Sequence, residues 1–283
     1  MQEWLRGRPV VGSLAHNQND VGSIPTPATR TAFNDIGGNA VKPKIMYFDI
    51  ETSPVLAWIW RTGKQYITHN QIMKGMKSDI ICICWKMEGE KTVHSLDWGI
   101  NKQDSAQMVN KFVKILETTD IAIAHNGKKF DVKHINTQRL LHNQRPIAWP
   151  TIEDSLTQFR KYFYLPSFKL DYIAQTLAGG GKSDMVFQDW VDIVSNKKSS
   201  ALDKMIKYCQ KDVVLLEKVF KKAKAFFQPK VNASLILGNG RHGCPRCGTT
   251  KVQFYGYRRT LARSYHRLRC TACGTTYAGP SVK

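Results

Sequence analysis

Apolar residues along this chain first form a continuous run at residue 45, and from there their spacing predicts a folded domain. Runs rich in β-branched and aromatic residues predict strands over 45–50, 79–87, 91–96 and 120–125, with an edge strand over 151–154. Apolar residues at helical spacing predict helices over 108–117, 130–141 and 201–226, with mainly helical structure from residue 155 onward. This order of elements predicts an α/β fold, with a mixed sheet flanked by helices.

Changes in composition divide the chain into four expected segments. Residues 1–44 are rich in Gly, Asn, Pro and Thr without a sustained period, and we expect them to be disordered. They could instead reflect a mis-called start near Val41 or Met46, because VGSIPTPATR resembles a transfer-RNA gene translated in the wrong frame. Residues 45–228 form the predicted main domain, 229–243 a linker and 244–283 a small separate module.

The charge of the chain indicates a polyanionic partner. Its 42 Lys and Arg against 22 Asp and Glu give a formal net charge of +20, which is typical of proteins that bind nucleic acid or anionic membrane surfaces. No apolar run approaches the ~18 residues of a membrane span, so nucleic acid is favoured and no membrane association is expected. The N-terminus lacks the apolar region of a signal peptide, and we expect a cytoplasmic protein.

Seven cysteines, an odd number, fall into two groups. Cys82, Cys84 and Cys209 lie in a predicted strand and a predicted helix, and we interpret them as small core side chains. The other four form two C-x-x-C pairs, each followed by Gly, and this spacing predicts one tetrahedral, structural Zn²⁺ site in a reducing compartment. The predicted ligands are Cys244, Cys247, Cys270 and Cys273, and the segment resembles zinc-ribbon modules.

The C-terminal module is also strongly basic. Residues 241–283 contain nine Lys or Arg and no Asp or Glu, so we expect the module to bind phosphates. Between the cysteine pairs, polar, basic and aromatic residues alternate as in a short β-hairpin. Its aromatic side chains either stack on unpaired bases or build a small core: Phe254, Tyr255, Tyr257 and Tyr265.

Acidic residues at three distant places form the main candidate for chemistry. Asp49 and Glu51 are two apart on a predicted strand and face the same side. Asp131 begins a predicted helix, and Tyr208 and Asp212 are four apart on one face of another. Each has an ordinary explanation alone, such as a solvated strand or a favourable helix dipole. If they share one cleft, they require cations, and paired divalent ions are standard for phosphodiester cleavage.

The segments YFDIET, AHNGKKFD and YCQKD resemble the three motifs of DnaQ-like 3′–5′ exonucleases, the Asp-Glu-Asp-Asp group on the RNase H-like fold. The resemblance covers residues 45–226 and is strongest to phage and polymerase-associated members, although no polymerase motifs follow. It is to the tyrosine subtype, because Lys207 stands at the family's histidine position and Tyr208 at its tyrosine position. It implies two Mg²⁺ or Mn²⁺ ions held by Asp49, Glu51, Asp131 and Asp212, with Tyr208 positioning the water.

The same resemblance implies contacts to the terminal nucleotide. It assigns them to Thr52, Asn126 and Phe130, for which a capping Thr, a turn-forming Asn and a core Phe are the ordinary alternatives. Asp154 also matches a family position, but we interpret it as the N-cap of the helix beginning at Ser155 and leave it out of the catalytic set.

These features predict a metal-dependent 3′–5′ exonuclease acting on single-stranded or frayed ends, with DNA favoured over RNA and a zinc ribbon that assists binding. A replication or recombination protein is a candidate partner. Two other interpretations stay open: a catalytically inactive nucleic-acid-binding protein on a nuclease scaffold, and an RNase H-like strand-transfer enzyme of the transposase kind. Tyr208 and the spacing of Asn126, Phe130 and Asp131 favour the exonuclease over the strand-transfer enzyme.

Overall fold

A computed structural model describes residues 43–180 and 185–282. Of the segment 1–44 that was predicted to be disordered, residues 1–42 lie outside the described residues, as does Val41, one of the two predicted start positions. None of the helices in the described part of the chain combines the length and the apolarity that crossing a membrane requires.

A five-stranded mixed sheet with the order β3-β2-β1-β4-β5 lies at the centre of the fold. The central strand β1 (Ile45–Thr52) pairs antiparallel with β2 (Ile80–Met87), which pairs antiparallel with β3 (His94–Asp97). On its other side β1 pairs parallel with β4 (Ile121–Ala124), which pairs parallel with the edge strand β5 (Thr151–Asp154). The predicted mixed sheet is confirmed. Strand β3 is shorter than the predicted 91–96. Its pairing with β2 stops at His94 opposite Trp85, and the last residues of β2, up to Met87, pair only with β1.

Helices cover both faces of this sheet, as the pattern predicted. Phe48 of β1 contacts Phe112 of helix α1 on one face, with ring centroids 5.7 Å apart. Its neighbour Tyr47 points to the opposite face and contacts Phe220 of helix α6 at 6.1 Å. The helices of the described residues are α1 (Ser105–Leu116), α2 (Asp131–Leu141), α3 (Ser155–Tyr162), α4 (Leu170–Ala178), α5 (Phe187–Val194), α6 (Ser199–Ala223) and the single turn α7 (Ala233–Ile236).

Helix α6 carries a stripe of buried side chains that packs on β1 and β2. Its members recur at three- or four-residue intervals, which places them on one helical face. Tyr208 and Asp212 each precede a member of this stripe by one residue. They therefore lie at the border of the buried face of the helix, not at its centre. The stripe comprises Met205, Cys209, Val213, Leu216 and Phe220.

The C-terminal residues form a three-stranded antiparallel sheet, made of β6 (Val252–Arg259), β7 (Ser264–Cys270) and β8 (Thr276–Val282). Strands β6 and β7 are the hairpin expected between the cysteine pairs. Arg246, just before this sheet, donates hydrogen bonds to both carboxylate oxygens of Glu153 in β5, at 3.0 and 3.3 Å, and to the carbonyl of Phe227 at 3.2 Å. Because Glu153 is buried, this ion pair ties the cysteine-bearing segment to the edge of the main sheet.

The Arg246–Glu153 pair is expected to be essential for stability. Arg246→Ala would leave the Glu153 carboxylate buried without its charge partner, and such losses cost about 3–5 kcal/mol. Urea unfolding should show this decrease in the free energy of unfolding. The matched control is Arg145→Ala, which removes an exposed partner of Glu117 and should cost less than about 1 kcal/mol. Equal effects of the two substitutions would contradict the role assigned to Arg246.

Candidate active site

The chain topology brings three sequence-distant acidic segments to one edge of the sheet. Because β1 and β4 are parallel, their carboxyl ends lie side by side. Glu51 is at the end of β1, and the loop that follows β4 leads directly to Asp131, the first residue of α2. Helix α6 crosses the same face of β1 and contributes Asp212.

Asp49, Glu51 and Asp212 each place a carboxylate oxygen within 4.8 Å of the others. Asp131 lies outside this group of three but accepts a hydrogen bond from the backbone N–H of Ile50, between Asp49 and Glu51. Its side chain is buried, with 1% exposure, and its Oδ1 has no hydrogen-bond partner among the described residues. The structure therefore brings together all four carboxylates that the sequence singled out.

Burial and mutual repulsion make these carboxyl groups weak acids in the metal-free protein. Burial, followed by the charges of Asp131 and Glu51, raises the pKa of Asp49 well above its ordinary value. Burial also raises the pKa of Asp131 to about 7 and that of Asp212 to about 6. The pKa of Glu51 rises to about 8, first through burial and then through Cys82 and Asp212. Such a cluster favours a bound cation, because a cation removes the repulsion.

Tyr208 lies beside the acids, and its hydroxyl hydrogen-bonds to Asp212 one helical turn later. Burial and the nearby charges of Asp212 and Glu51 raise the pKa of this phenol further above its ordinary value. The hydroxyl therefore stays protonated at neutral pH, so it can orient a neighbouring group by hydrogen bonding but does not act as a free base.

Residues 46–224 match the family model of the RNase H superfamily. The chain belongs to the RNase H superfamily. Among solved structures, a family B DNA polymerase from the hyperthermophilic archaeon Pyrobaculum calidifontis is similar, with a TM-score of 0.50 and 12% identity. At this identity the likeness shows the fold alone, and the match covers 70% of this chain but only 26% of the polymerase. A search of curated proteins finds no match.

The superfamily fold and the acid cluster together support a nuclease-like role. The predicted RNase H-like architecture is confirmed. The superfamily match ends at residue 224, so the cysteine-bearing segment is additional to the matched core.

The loop between β4 and α2 of this RNase H-like core is held in a specific conformation. Asn126 adopts a left-handed backbone with φ of 67°, and its carbonyl accepts a hydrogen bond from the N–H of Phe130 at 3.0 Å. Asp154, at the end of β5, accepts from the N–H groups of Asn126 and Lys128, both at 3.2 Å. It also accepts from Thr157, which confirms its prediction as an N-cap. Its contact with the loop was missed, because no local pattern pairs residues 28 apart.

The three residues expected at the terminal nucleotide border this edge. Thr52 follows Glu51 at a register shift of β1. Phe130 is 38% exposed rather than part of the core. Its ring contacts His134, with centroids 4.6 Å apart. Gly127 leaves the loop room to pass, since a Cβ there would lie 2.4 Å from the Cβ of Ala124.

Three thiols fill the space behind Asp49. The Sγ atoms of Cys82, Cys84 and Cys209 lie within 4.8 Å of one another, and all three residues are buried. Cys209 Sγ lies 3.5 Å from the carbonyl oxygen of Asp49, and burial raises the pKa of this thiol. A neutral thiol is a small, largely apolar group, so Cys209 allows α6 to approach the backbone of β1 closely.

The four C-terminal cysteines also converge. Their Sγ atoms lie within 4.8 Å of one another, with Cys244 to Cys273 and Cys247 to Cys270 each at 3.6 Å. Gly248 and Gly274, each with φ of 75°, turn the chain after each pair. Backbone N–H groups point at the sulfur atoms of Cys244 and Cys270, each at 3.4 Å. This donor set could form a zinc site.

The small sheet exposes three of its aromatic residues, whereas Tyr265 is partly buried. Phe254, Tyr255 and Tyr257 are each about half exposed. Phe254 and Tyr257 contact each other and His266. Tyr255 is covered by the guanidinium groups of Arg267 and Arg269 at 5.5 and 6.0 Å. The alternative that these three aromatic rings mainly build a core is therefore not favoured.

The acid cluster makes a prediction about stability and pH. A carboxyl group whose pKa is raised by folding stabilises the protein at low pH, and this contribution is lost as the pH rises through the folded pKa. Without added Mg²⁺ or Mn²⁺, the melting temperature of the zinc-loaded protein should therefore fall between about pH 5 and pH 8, the window of the raised pKa values of Asp212, Asp131 and Glu51. Asp131→Asn should raise the melting temperature at pH 8 by on the order of 5 °C, as measured by calorimetry.

Divalent metal should stabilise the unaltered chain much more than the Asp131→Asn variant. Mg²⁺ or Mn²⁺ should recover the stability of the unaltered chain at pH 8 and have little effect on Asp131→Asn. Asp203→Asn, which changes an exposed acid of α6, serves as the control and should behave like the unaltered chain. A pH-independent melting temperature in the absence of added divalent metal would show that folding does not raise the pKa values of these acids.

The two cysteine clusters should differ in whether they bind zinc. Cys270→Ser removes one of four converging ligands, so zinc measured by plasma mass spectrometry should fall from about one atom per chain to near zero. Cys84→Ala removes a thiol from the buried group behind Asp49 and should retain the zinc. Zinc retained by Cys270→Ser, or lost from Cys84→Ala, would contradict the assignment.

Proposed function

We propose that this protein is a metal-dependent 3′–5′ exonuclease of the DnaQ-like, tyrosine type, with a zinc ribbon that binds nucleic acid. The observation that carries the proposal is the convergence of carboxylates from β1, α2 and α6 beside a tyrosine hydroxyl. Side-chain alternation along β1 places Asp49 and Glu51 on one face. The loop after β4 leads to Asp131, and the border of the α6 stripe carries Tyr208 and Asp212. The superfamily match and the basic charge of the chain support it.

The acid cluster fits divalent metal ions. Asp131 Oδ1 is a buried oxygen without a hydrogen-bond partner among the described residues, as expected of a ligand atom. Asp49, Glu51 and Asp212 add oxygen donors, the ligand type that Mg²⁺ and Mn²⁺ prefer. Bound there, two such ions would acidify water and neutralise charge on the attacking and leaving oxygens.

The remaining residues have positioning roles in this proposal. The Tyr208 hydroxyl hydrogen-bonds to Asp212, so it is fixed where it can orient the attacking water. Asn126 is held by Asp154 at the mouth of the site, where its amide can hydrogen-bond the terminal nucleotide. The exposed ring of Phe130 offers a surface for sugar or base packing, and Thr52 lies on the opposite border.

The ribbon contributes affinity for the polyanion. Its exposed rings are interleaved with Arg258, Arg259, Arg263, Arg267 and Arg269, and it has no acidic residue. Arginine contacts to phosphate and ring stacking on unpaired bases suit single-stranded or frayed ends. DNA is favoured over RNA as substrate, and a replication or recombination protein is the proposed type of partner.

The decisive experiment follows the fate of labels at each end of a single strand. With Mg²⁺, a 3′ label should be released first as a mononucleotide, and a 5′ label should yield a ladder that shortens stepwise from the 3′ end. Asp49→Asn should reduce the rate about a hundred-fold or more, because several kcal/mol of charge stabilisation depend on the bound ions. Tyr208→Phe keeps the ring and removes only the hydroxyl, so it should reduce the rate about 10–100-fold.

Two observations would contradict the proposal. One is internal cleavage that releases long fragments carrying either label, as a strand-transfer enzyme or an endonuclease would produce. The other is near-normal trimming by Asp49→Asn when Asp203→Asn, on the exposed side of α6, is also normal. Matched DNA and RNA strands in the same assay decide the substrate class.

A further inference from the structure

We propose that residues 54–77, here named the aromatic arm, bind the single-stranded nucleic acid whose 3′ end enters the acid cluster. The inference rests on the proposed function for the nature of the ligand. The arm is nearly the entire connection between β1 and β2, and the sequence patterns assign it no element. It begins three residues after Glu51 and returns just before β2, so both its ends lie at the edge of the sheet that carries the acids.

Hydrogen bonds to buried and partly buried residues fix the base of the arm. Ser53 and Asp79 exchange two of them: the N–H of Ser53 donates to the carbonyl of Asp79 at 2.8 Å, and the N–H of Asp79 donates to Ser53 Oγ at 2.9 Å. The buried Gln138 of α2 donates to Asp79 Oδ1 at 2.8 Å and accepts from the buried Ser105 at 3.0 Å. Because α2 begins at Asp131, the arm and the acid cluster share one rigid support.

The stem of the arm is also ordered. Ala57 and Ile72 form an antiparallel bridge, and the N–H of Trp58 donates to the carbonyl of Gln71 at 2.8 Å. The side chain of Gln71 donates back to the carbonyl of Trp58 at 3.2 Å. The arm is therefore a hairpin-like projection with a defined base and stem.

Its large side chains point into solvent. Trp60 and Tyr66 are 99% and 98% exposed, and Trp58 is 74% exposed. Eight of the 21 exposed large hydrophobic residues in the described ranges belong to this one segment. Clusters of exposed apolar side chains often mark a binding surface, and exposed rings on a rigid support suit base stacking.

The arm is positively charged, which favours a negatively charged ligand. Residues 54–77 contain four Lys or Arg and no Asp or Glu. Arg61, Lys64 and Lys74 make no ion pair with the described residues, whereas Lys77 contacts Asp79 at 3.4 Å. An unpaired nucleic-acid strand has phosphates that bind cations and bases that stack on aromatic rings. In the proposed function it is also the ligand of the metal-binding carboxylates.

The dimensions are compatible with one continuous strand. Trp60 is nine residues from Glu51, a reach of at most about 30 Å along the chain. At about 3.4 Å or more per nucleotide, fewer than about nine nucleotides cover that distance. Strands longer than this would contact both the acid cluster and the tip of the arm, whereas strands of a few nucleotides would not.

The test compares binding by three zinc-loaded forms of the full chain without added Mg²⁺ or Mn²⁺, so that no hydrolysis is needed. They are the unaltered protein, the double variant Trp60→Ala with Tyr66→Ala, and the double variant Trp60→Phe with Tyr66→Phe. Anisotropy of labelled DNA and RNA strands of about 16 nucleotides should show a loss of about ten-fold or more for the alanine form. The phenylalanine form should retain most of the affinity, because the rings remain.

Two further readouts separate stacking from other effects. Blunt duplexes should bind all three forms equally, since they offer no unpaired bases to the tip of the arm. The salt dependence of binding should be unchanged, because no charge is removed. Leu140→Ala, another exposed apolar residue at the far end of α2 from Asp131, is the matched control and should bind like the unaltered chain.

Equal affinity of the alanine form for long strands would overturn the proposal. Two other results, each with nucleic-acid binding unchanged, would also overturn it. In one, the alanine form would no longer sediment with phosphatidylserine vesicles; in the other, it would change from dimer to monomer in the ultracentrifuge. Those results would identify a membrane or a second copy as the ligand. Failure of stepwise trimming alongside a ten-fold binding loss would instead reject the exonuclease assignment and leave the arm as a nucleic-acid site.

Discussion

Repulsion among buried carboxylates is the constraint on which this structure depends. Asp49, Glu51 and Asp212 place oxygens within 4.8 Å of one another, and burial makes their ionisation costly. A flexible chain would relax by separating them. Here two of them project from the central strand of a sheet that is paired on both sides, and the third from a 25-residue helix packed across that strand. The fold supplies the rigidity that keeps like charges together, and a bound cation removes the remaining cost.

The packing around the acids follows from the same constraint. Helix α6 must lie close to β1 if Asp212 is to reach Asp49, and the neutral thiol of Cys209 permits this by contacting the Asp49 carbonyl at 3.5 Å. Asp154 is acidic and buried near the site, yet its two oxygens accept hydrogen bonds from the loop at Asn126 and from the start of α3. Backbone N–H groups stabilise a carboxylate, so these hydrogen bonds hold Asp154 in place even though its charge helps to raise the pKa of Asp131.

Features with a local signal were predictable from the sequence, and features made by long-range contacts were not. The strand alternation of Asp49 and Glu51, the helix beginning at Asp131 and the four-residue spacing to Asp212 depend on periodicity and composition, and the structure has them. The Arg246–Glu153 pair joins residues 93 apart and leaves no pattern in either segment. The aromatic arm was interpreted only as a long connection, because its rings follow no period. Its significance comes from their exposure, which a sequence does not record.

The distribution of charge separates affinity from chemistry in this molecule. An acid cluster repels phosphate until cations neutralise it, so it contributes little to the first encounter with a polyanion. In the proposed function this encounter depends on positive charge elsewhere, including the arm, where Arg61 and Lys64 make no ion pair with the described residues, and the arginine-rich small sheet. Both surfaces also expose aromatic rings, which bind unpaired bases in preference to a closed duplex. Selection for single strands would then be made by these surfaces before any phosphodiester reaches the carboxylates, and the acid site itself need only recognise an end.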